Sequence, residues 1–200
     1  MKRRNIFIKI IALNLAIYFA ILFTGCKGGN KAQLVKDAVL NECNYKLGDY
    51  VGDYSITDVN GNTYTFSQLL SEKKAIILNF WFISCGPCQM EFPYMQKSYN
   101  QYKDDVALIA INPIDAKEKD IQKYANDNSL SIPMAKGENA WVTAFDLRAF
   151  PTTIVIDRYG CISFYHVGSI TEDGIFDKIF SFYTSDSYKK TIIKNIDDIK

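Results

Sequence analysis

The sequence predicts an α/β fold, with a central mixed β-sheet flanked by helices and a β-hairpin ahead of it. Three observations predict it. Two nearly continuous apolar runs, 75–81 and 106–111, read as strands buried on both faces. Helical patterns follow each run, the order expected of βαβ crossovers. Two further strand patterns, 152–156 and 161–165, are separated only by Arg158-Tyr159-Gly160, so the last pair forms a hairpin and the sheet is mixed.

In chain order, the basic start Met1-Lys2-Arg3-Arg4 leads into an apolar stretch from Ile6 to Phe23, broken only by Lys9 and Asn14. It ends in Thr24-Gly25-Cys26. Such a pattern describes a secretory signal over residues 1–26. Its ending resembles the lipobox of bacterial lipoproteins, which implies lipidation at Cys26. The stretch is also near the ~20 residues that span a bilayer, so an uncleaved anchor stays open. Either reading puts the globular part outside the cytoplasm in the cell envelope, tethered to a membrane, with the basic residues inside.

Residues 27–48 read as a linker, with Gly28-Gly29-Asn30 flexible and 33–40 able to form a short helix. The main domain is expected over 49–185. Runs 54–59 and 63–66 flank Asn60-Gly61-Asn62, a strong hairpin signal. A helical turn follows at 67–71, then the first buried strand, a helix from Cys85 to about Lys103, and the second strand. Helical periodicity marks 116–126 and 140–147, with an extended stretch near 132–134 between them. After the final hairpin, Ile175, Phe176, Ile179 and Phe180 form one apolar stripe of a closing helix. Residues 186–200 are expected to form a helical tail, with Ile192, Ile193, Ile196 and Ile199 on one side.

Composition narrows the function. Of 200 residues, 48% are apolar and 22% charged, so a packed core is expected and global disorder is not. A net charge of +1 gives no pointer to nucleic acid. His166 is the single histidine, which rules out a His-rich metal site. It reads as structural or solvent-facing.

The chemistry-bearing motif is Cys85-Gly86-Pro87-Cys88, placed after a buried strand and before a helix. At a helix amino terminus the first sulfur faces unpaired backbone N–H groups and the positive end of the helix dipole. Both favour the thiolate, the species that attacks disulfides. Cys88 lies about one helical turn on, close enough to resolve a mixed disulfide. Pro87 falls in the first turn, where its missing N–H costs little. Half of a zinc site and a static disulfide are the competing readings. Zinc needs about four ligands, and Cys43, Cys161 and His166 show no paired spacing.

From Asn79-Phe80-Trp81 through Cys88, with Glu91-Phe92-Pro93 after it and Phe150-Pro151-Thr152-Thr153 later, the sequence resembles the thioredoxin superfamily. Within it, the resemblance is to the envelope branch of TlpA/ResA-like thiol–disulfide oxidoreductases, and it covers roughly residues 50–183. It implies a thioredoxin-like fold and catalysis by Cys85 and Cys88, with Glu91 moving protons for Cys88 in place of an acid that thioredoxin carries at the position of Asn79. A surface Glu91 is the plainer reading. The family's loop at Pro151 implies a cis bond after Phe150, with Phe150, Pro151 and Trp81 at the substrate, while Trp81 and Phe80 read from their own chemistry as core. Pro93 should kink its helix. In the active-site loop of Ser84, Gly86 and Pro87, Ser84 departs from the family, which usually has Trp there. That departure implies a more exposed Cys85.

The expected reaction is thiol–disulfide exchange, without cofactor or metal, on disulfide-containing exported proteins. The resemblance implies a reductant recharged by a membrane electron donor and serving tasks such as apocytochrome c maturation. A peroxiredoxin-type thiol peroxidase would need an arginine-supported cysteine pocket, for which Arg148 is the candidate. A copper-delivering protein would want Cys and His ligands together, and His166 is alone. Whether Cys43 and Cys161 pair stays open.

Overall fold

The computed structural model describes residues 45–199. The expectations for the signal segment, Cys26, Cys43 and the helix at 33–40 lie outside the described residues. The elements are β1 (Ser55–Thr57), β2 (Thr63–Thr65), α1 (Phe66–Glu72), β3 (Ala75–Phe80), α2 (Gly86–Tyr102), β4 (Val106–Asn112), α3 (Glu118–Asp127), β5 (Met134–Lys136), α4 (Asn139–Ala144), β6 (Thr152–Asp157), β7 (Ile162–Val167) and α5 (Ile175–Thr184).

The sheet order is β5-β4-β3-β6-β7. β3 pairs parallel with β4 and antiparallel with β6, and the β6–β7 hairpin closes one side, so the sheet is mixed. Every residue of β3, β4 and β6 is buried, which is why their sequences show apolar runs instead of alternation. Side chains alternate between two cores. Ala75 and Ile77 face the cluster under α2, α3 and α5; Ile76, Leu78 and Phe80 face the cluster under α1 and α4.

The β1–β2 hairpin turns at Asn60-Gly61, where Gly61 takes φ +87°. Asp58 secures the turn, accepting from the Asn60 and Asn62 N–H groups, the Asn62 amide and the Tyr64 hydroxyl at 2.9–3.0 Å. The strands are shorter than the sequence suggests because Asp58 and Val59 turn aside to meet β5, where the Val59 N–H reaches the Met134 carbonyl.

Folded contacts begin before residue 49. Tyr45 is buried, its N–H donates to the Ala144 carbonyl at 2.7 Å, and its hydroxyl meets that of Tyr54. The next residues then run antiparallel to the start of β7, with Tyr50 opposite Cys161. Gly160, at φ +76°, makes this approach possible: a Cβ there would stand 2.6 Å from the Tyr50 ring.

The expected helical tail is corrected. Residues 186–195 form no helix but a strap that begins with a turn at 186–187 and bridges β7 at Ile193, and only Ile196–Asp198 make a single 3-10 turn. Two features of the sheet take up this segment. The β7 edge accepts it through the Ile193 N–H on the Ser163 carbonyl at 2.8 Å. The buried carboxylate of Asp157 takes the Tyr188 hydroxyl at 2.9 Å. Arg158 adds bonds to the Tyr183 and Ser185 carbonyls and lies 5.2 Å from the centre of the Tyr188 ring. Ile193 is buried while Ile192 is exposed, so the four isoleucines do not share one face. β-Branched residues are indifferent helix formers, and an unpaired strand edge gives the backbone better partners. Among the described residues no helix is long and apolar enough to cross a membrane.

Candidate active site

The site forms where β3 ends and α2 begins. Cys85 is the N-cap of α2, with extended backbone at φ −85°, and its sulfur accepts from the Cys88 N–H at 3.2 Å. Gly86 and Pro87 open the helix on the surface. Cys85 and Cys88 are joined in a disulfide with their Cα atoms 5.3 Å apart, so the chain is in its oxidised form. The sulfur of Cys85 thus sits at the end of a 17-residue helix, where free N–H groups stabilise a thiolate once the bond opens.

Burial separates the two cysteines less than expected. Ser84 is exposed, but Cys85 is only 4% exposed and Cys88 is fully enclosed. The absence of a Trp at position 84 therefore does not leave Cys85 open in the disulfide form. Ser84 points outward while the cap geometry turns Cys85 inward, into the same apolar cluster as Trp81, Cys88 and Phe92. Trp81 is likewise no contact surface for a substrate. It is fully enclosed, edge-on to Phe92 at 5.1 Å and against Tyr124 at 4.9 Å, and forms part of the floor. Aromatic pairs of this kind add about 0.5–1.5 kcal/mol beyond area burial.

The Phe150–Pro151 peptide bond is cis. Phe150 is half-buried and meets Phe82 edge-on, with ring centres 5.5 Å apart. That contact joins the Pro151 loop to the redox loop. Phe150 keeps part of its surface exposed beside that loop, while Pro151 is buried.

Glu91 lies one helical turn beyond Cys88 on the same face and is fully buried. Pro93, two residues on, sits inside α2, which continues to Tyr102. The Glu91 carboxyl accepts from the Asn79 amide at 2.7 Å and from the Ile170 N–H at 3.0 Å. Burial pushes its pKa up to about 7, against the pull of those two hydrogen bonds, which favour the charged form. Asn79 also donates to Thr153 Oγ1 at 3.2 Å, and its own Oδ1 has no partner. A surface glutamate is excluded, and what remains is a buried carboxyl, its pKa raised to about 7, one helical turn beyond Cys88.

Other candidates lie elsewhere. Arg148 is exposed and tied to Asp146 at 2.7 Å. Cys161 is a buried free thiol at the far end of the sheet, beyond the end of β6 that pairs with Ala75. His166 is half-buried on β7, stacked on Phe164, with its pKa lowered by burial. Among the described residues no three His, Cys, Asp or Glu side chains gather closely enough to hold a metal ion.

Three contributors escaped the sequence reading. The Ile170 N–H completes the Glu91 pair from a loop 79 residues away. Gln89 and Asp115 grip the backbone just before Cys85. Asp115 had one available signal: it follows the carboxyl end of a buried parallel strand, where α/β sheets place their sites.

Residues 47–165 match the family model described as the AhpC/TSA family. The thiol-disulfide oxidoreductase ResA of Halalkalibacterium halodurans is 35% identical over 130 residues, covering 64% of this chain and 72% of that protein. The thioredoxin-like protein YneN of Bacillus subtilis is 28% identical over 167 residues, covering 82% and 95%. Among solved structures, a putative thiol:disulfide interchange protein DsbE from Chlorobium tepidum matches with a TM-score of 0.55 at 26% identity, over 63% of this chain and 88% of that one. StoA from Bacillus subtilis shares the fold, with a TM-score of 0.56 at 19% identity over 68% and 100%.

Proposed function

The chain belongs to the ResA-like thiol–disulfide oxidoreductases of the AhpC/TSA family, and from that premise we propose that it reduces disulfides in exported proteins, with Cys85 attacking, Cys88 resolving and Glu91 carrying the proton. One observation carries the assignment of roles: Cys85 caps α2, Cys88 follows one turn later in bonding distance, and a buried carboxyl with pKa about 7 lies behind Cys88.

In the reduced protein, the Cys85 thiolate attacks one sulfur of the substrate disulfide. That S–S bond breaks, and the departing substrate sulfur takes a proton. Cys88 then gives its proton to the Glu91 carboxylate and attacks the Cys85 sulfur. The mixed disulfide breaks, the Cys85–Cys88 bond forms, and the second substrate sulfur leaves, taking the proton back from Glu91. Two electrons and two protons have passed to the substrate. A membrane donor returns them, since the soluble glutathione and thioredoxin pools are cytosolic. Phe150 supplies the docking surface.

The leader over residues 1–26 supports an envelope location, with Cys26 as the lipidated residue and the domain outside the cytoplasm. Apocytochrome c is one substrate of the right kind. The peroxidase alternative finds no support at the site, because Arg148 is committed to Asp146.

The test is insulin reduction with dithiothreitol as donor. The wild type is expected to turn over, and Cys85→Ser to be inactive. Cys88→Ser is expected to accumulate mixed disulfide. Hydrogen peroxide consumption faster than insulin reduction would move the chain to the peroxidases. For the envelope reading, labelled palmitate is expected in the membrane fraction with the wild type and not with Cys26→Ala.

A further inference from the structure

Ile83, two residues before Cys85, is held through both its backbone N–H and its carbonyl. Gln89, in the first turns of α2, donates its amide to the Ile83 carbonyl at 2.6 Å. Asp115 approaches from the loop after β4. Its Oδ1 accepts from the Ile83 N–H and its Oδ2 from the Ser84 hydroxyl, each at 3.4 Å. Both carboxylate oxygens therefore face the two residues directly ahead of the attacking sulfur.

Asp115 is itself placed by Asn112, which is buried at the end of β4. The Asn112 amide donates to Asp115 Oδ1 at 3.1 Å, and its oxygen accepts from the Ile114 and Asp115 N–H groups at 3.2 and 3.3 Å. β3 and β4 are neighbours and parallel, so the loops leaving their carboxyl ends meet. The contacts to the redox loop are long, and hydrogen-bond strength falls off at such distances. The charge of the carboxylate acts over a longer range than its bonds.

We infer that Asp115 is a positioning residue that keeps the Cys85–Cys88 couple strongly reducing, by holding a negative charge beside the redox loop. The inference rests on the reading of Cys85 and Cys88 as the redox pair. At equilibrium the protein disulfide and two glutathione thiols exchange two electrons and two protons for the protein dithiol and glutathione disulfide. Only the reduced protein carries charge on Cys85, as the thiolate that the helix end favours. A nearby carboxylate raises the free energy of that form and leaves the uncharged disulfide alone. The dithiol is therefore a better electron donor, the opposite of an oxidant whose reduced form is stabilised. The buried carboxyl of Glu91 is bonded to Asn79 and Ile170 and shares no hydrogen-bond partner with Asp115.

Equilibration against glutathione buffers at fixed pH, read by thiol trapping, tests this. Asp115→Asn keeps the shape and one acceptor oxygen but loses the charge. Its equilibrium constant is expected to move about three- to tenfold toward the reduced protein. Asp115→Glu, which restores the charge, and Asp120→Asn, an exposed carboxylate on α3, are expected within twofold of wild type. Asp115→Ser replaces D115N should that variant fail to fold. An unmoved D115N, or an equal shift in D120N, overturns the inference. A wild type that exchanges normally while D115N stays put removes only this inference; a wild type that neither exchanges with glutathione nor reduces insulin removes the redox reading with it.

Discussion

Asn79 donates its side-chain amide to Glu91 across 2.7 Å, joining the central strand to α2 one turn beyond Cys88. The resemblance to thioredoxin places an acid at the strand position; here the strand carries Asn79, and the buried carboxyl bonded to it comes from the helix. With Asn at position 79, β3 brings no second carboxyl to the space beside Glu91. Two carboxylates there would have to share a proton.

Glu91→Gln tests that group directly. Attack by Cys85 does not need Glu91, so mixed disulfide is expected to form at near the wild-type rate. Resolution by Cys88 is expected to slow about 10²-fold, within the range for loss of a general base. The wild-type resolution rate should rise with pH through about 7, the pKa of the buried carboxyl, and the variant should lose that inflection. Rapid-quench separation of the two steps checks it. A resolution rate equal to wild type, with the inflection retained, would take Glu91 out of the mechanism.

The same residue links stability to pH. The carboxyl titrates near 7 when folded against 4.5 as its ordinary value, so between these the folded chain holds more protons than the unfolded chain. Stability therefore falls as pH rises through this window, and the cost is fully present above about pH 7. Glu91→Gln escapes it, and the unpartnered Asn79 Oδ1 can accept from the new amide after a flip. The variant is expected to match wild type near pH 4 and to exceed it at pH 8 by about 3 kcal/mol. Urea denaturation at both pH values measures the difference.

Tyr188→Phe removes the hydroxyl that reaches the buried Asp157 and leaves that oxygen with one partner fewer. The expected loss is about 1–3 kcal/mol, the cost of a buried acceptor left short. The strap over residues 186–199 should become sensitive to protease, while insulin reduction stays at the wild-type rate because Asp157 lies at the end of β6 away from Cys85. Unchanged stability would mean that the Ile193 pairing and the contacts of the ring at 188 hold the strap without the Asp157 bond.

Phe150→Ala removes the ring that joins the Pro151 loop to Phe82. A half-buried ring at the docking surface contributes to substrate binding more than to the sulfur chemistry. The KM for insulin is expected to rise several-fold, with kcat within twofold of wild type and the glutathione equilibrium unchanged. A fall in kcat alone would assign Phe150 to the chemical step instead.

Much of this molecule was legible along the chain. The apolar runs of β3, β4 and β6 dictated buried strands, because only a strand covered on both faces has no use for polar alternation. Cys85 through Cys88 at a strand–helix junction announced exchange chemistry, because helix-end electrostatics depend only on local backbone. Glu91 was singled out by the family resemblance, since its spacing from Cys88 alone is equally that of a surface glutamate, and the depth of its burial was not legible.

What the tertiary structure alone decided came from distant segments meeting. The Ile170 N–H reaches Glu91, Asp115 reaches Ile83 and Ser84, and Tyr188 reaches Asp157, across separations that no local pattern encodes. The strap at 186–195 was misread for the same reason. Its isoleucines fit a helix by spacing, and the free edge of β7 offered hydrogen bonds that the segment alone could not foresee. Local sequence fixes what a segment can form by itself; which partner satisfies its polar groups is settled only when the sheet has assembled.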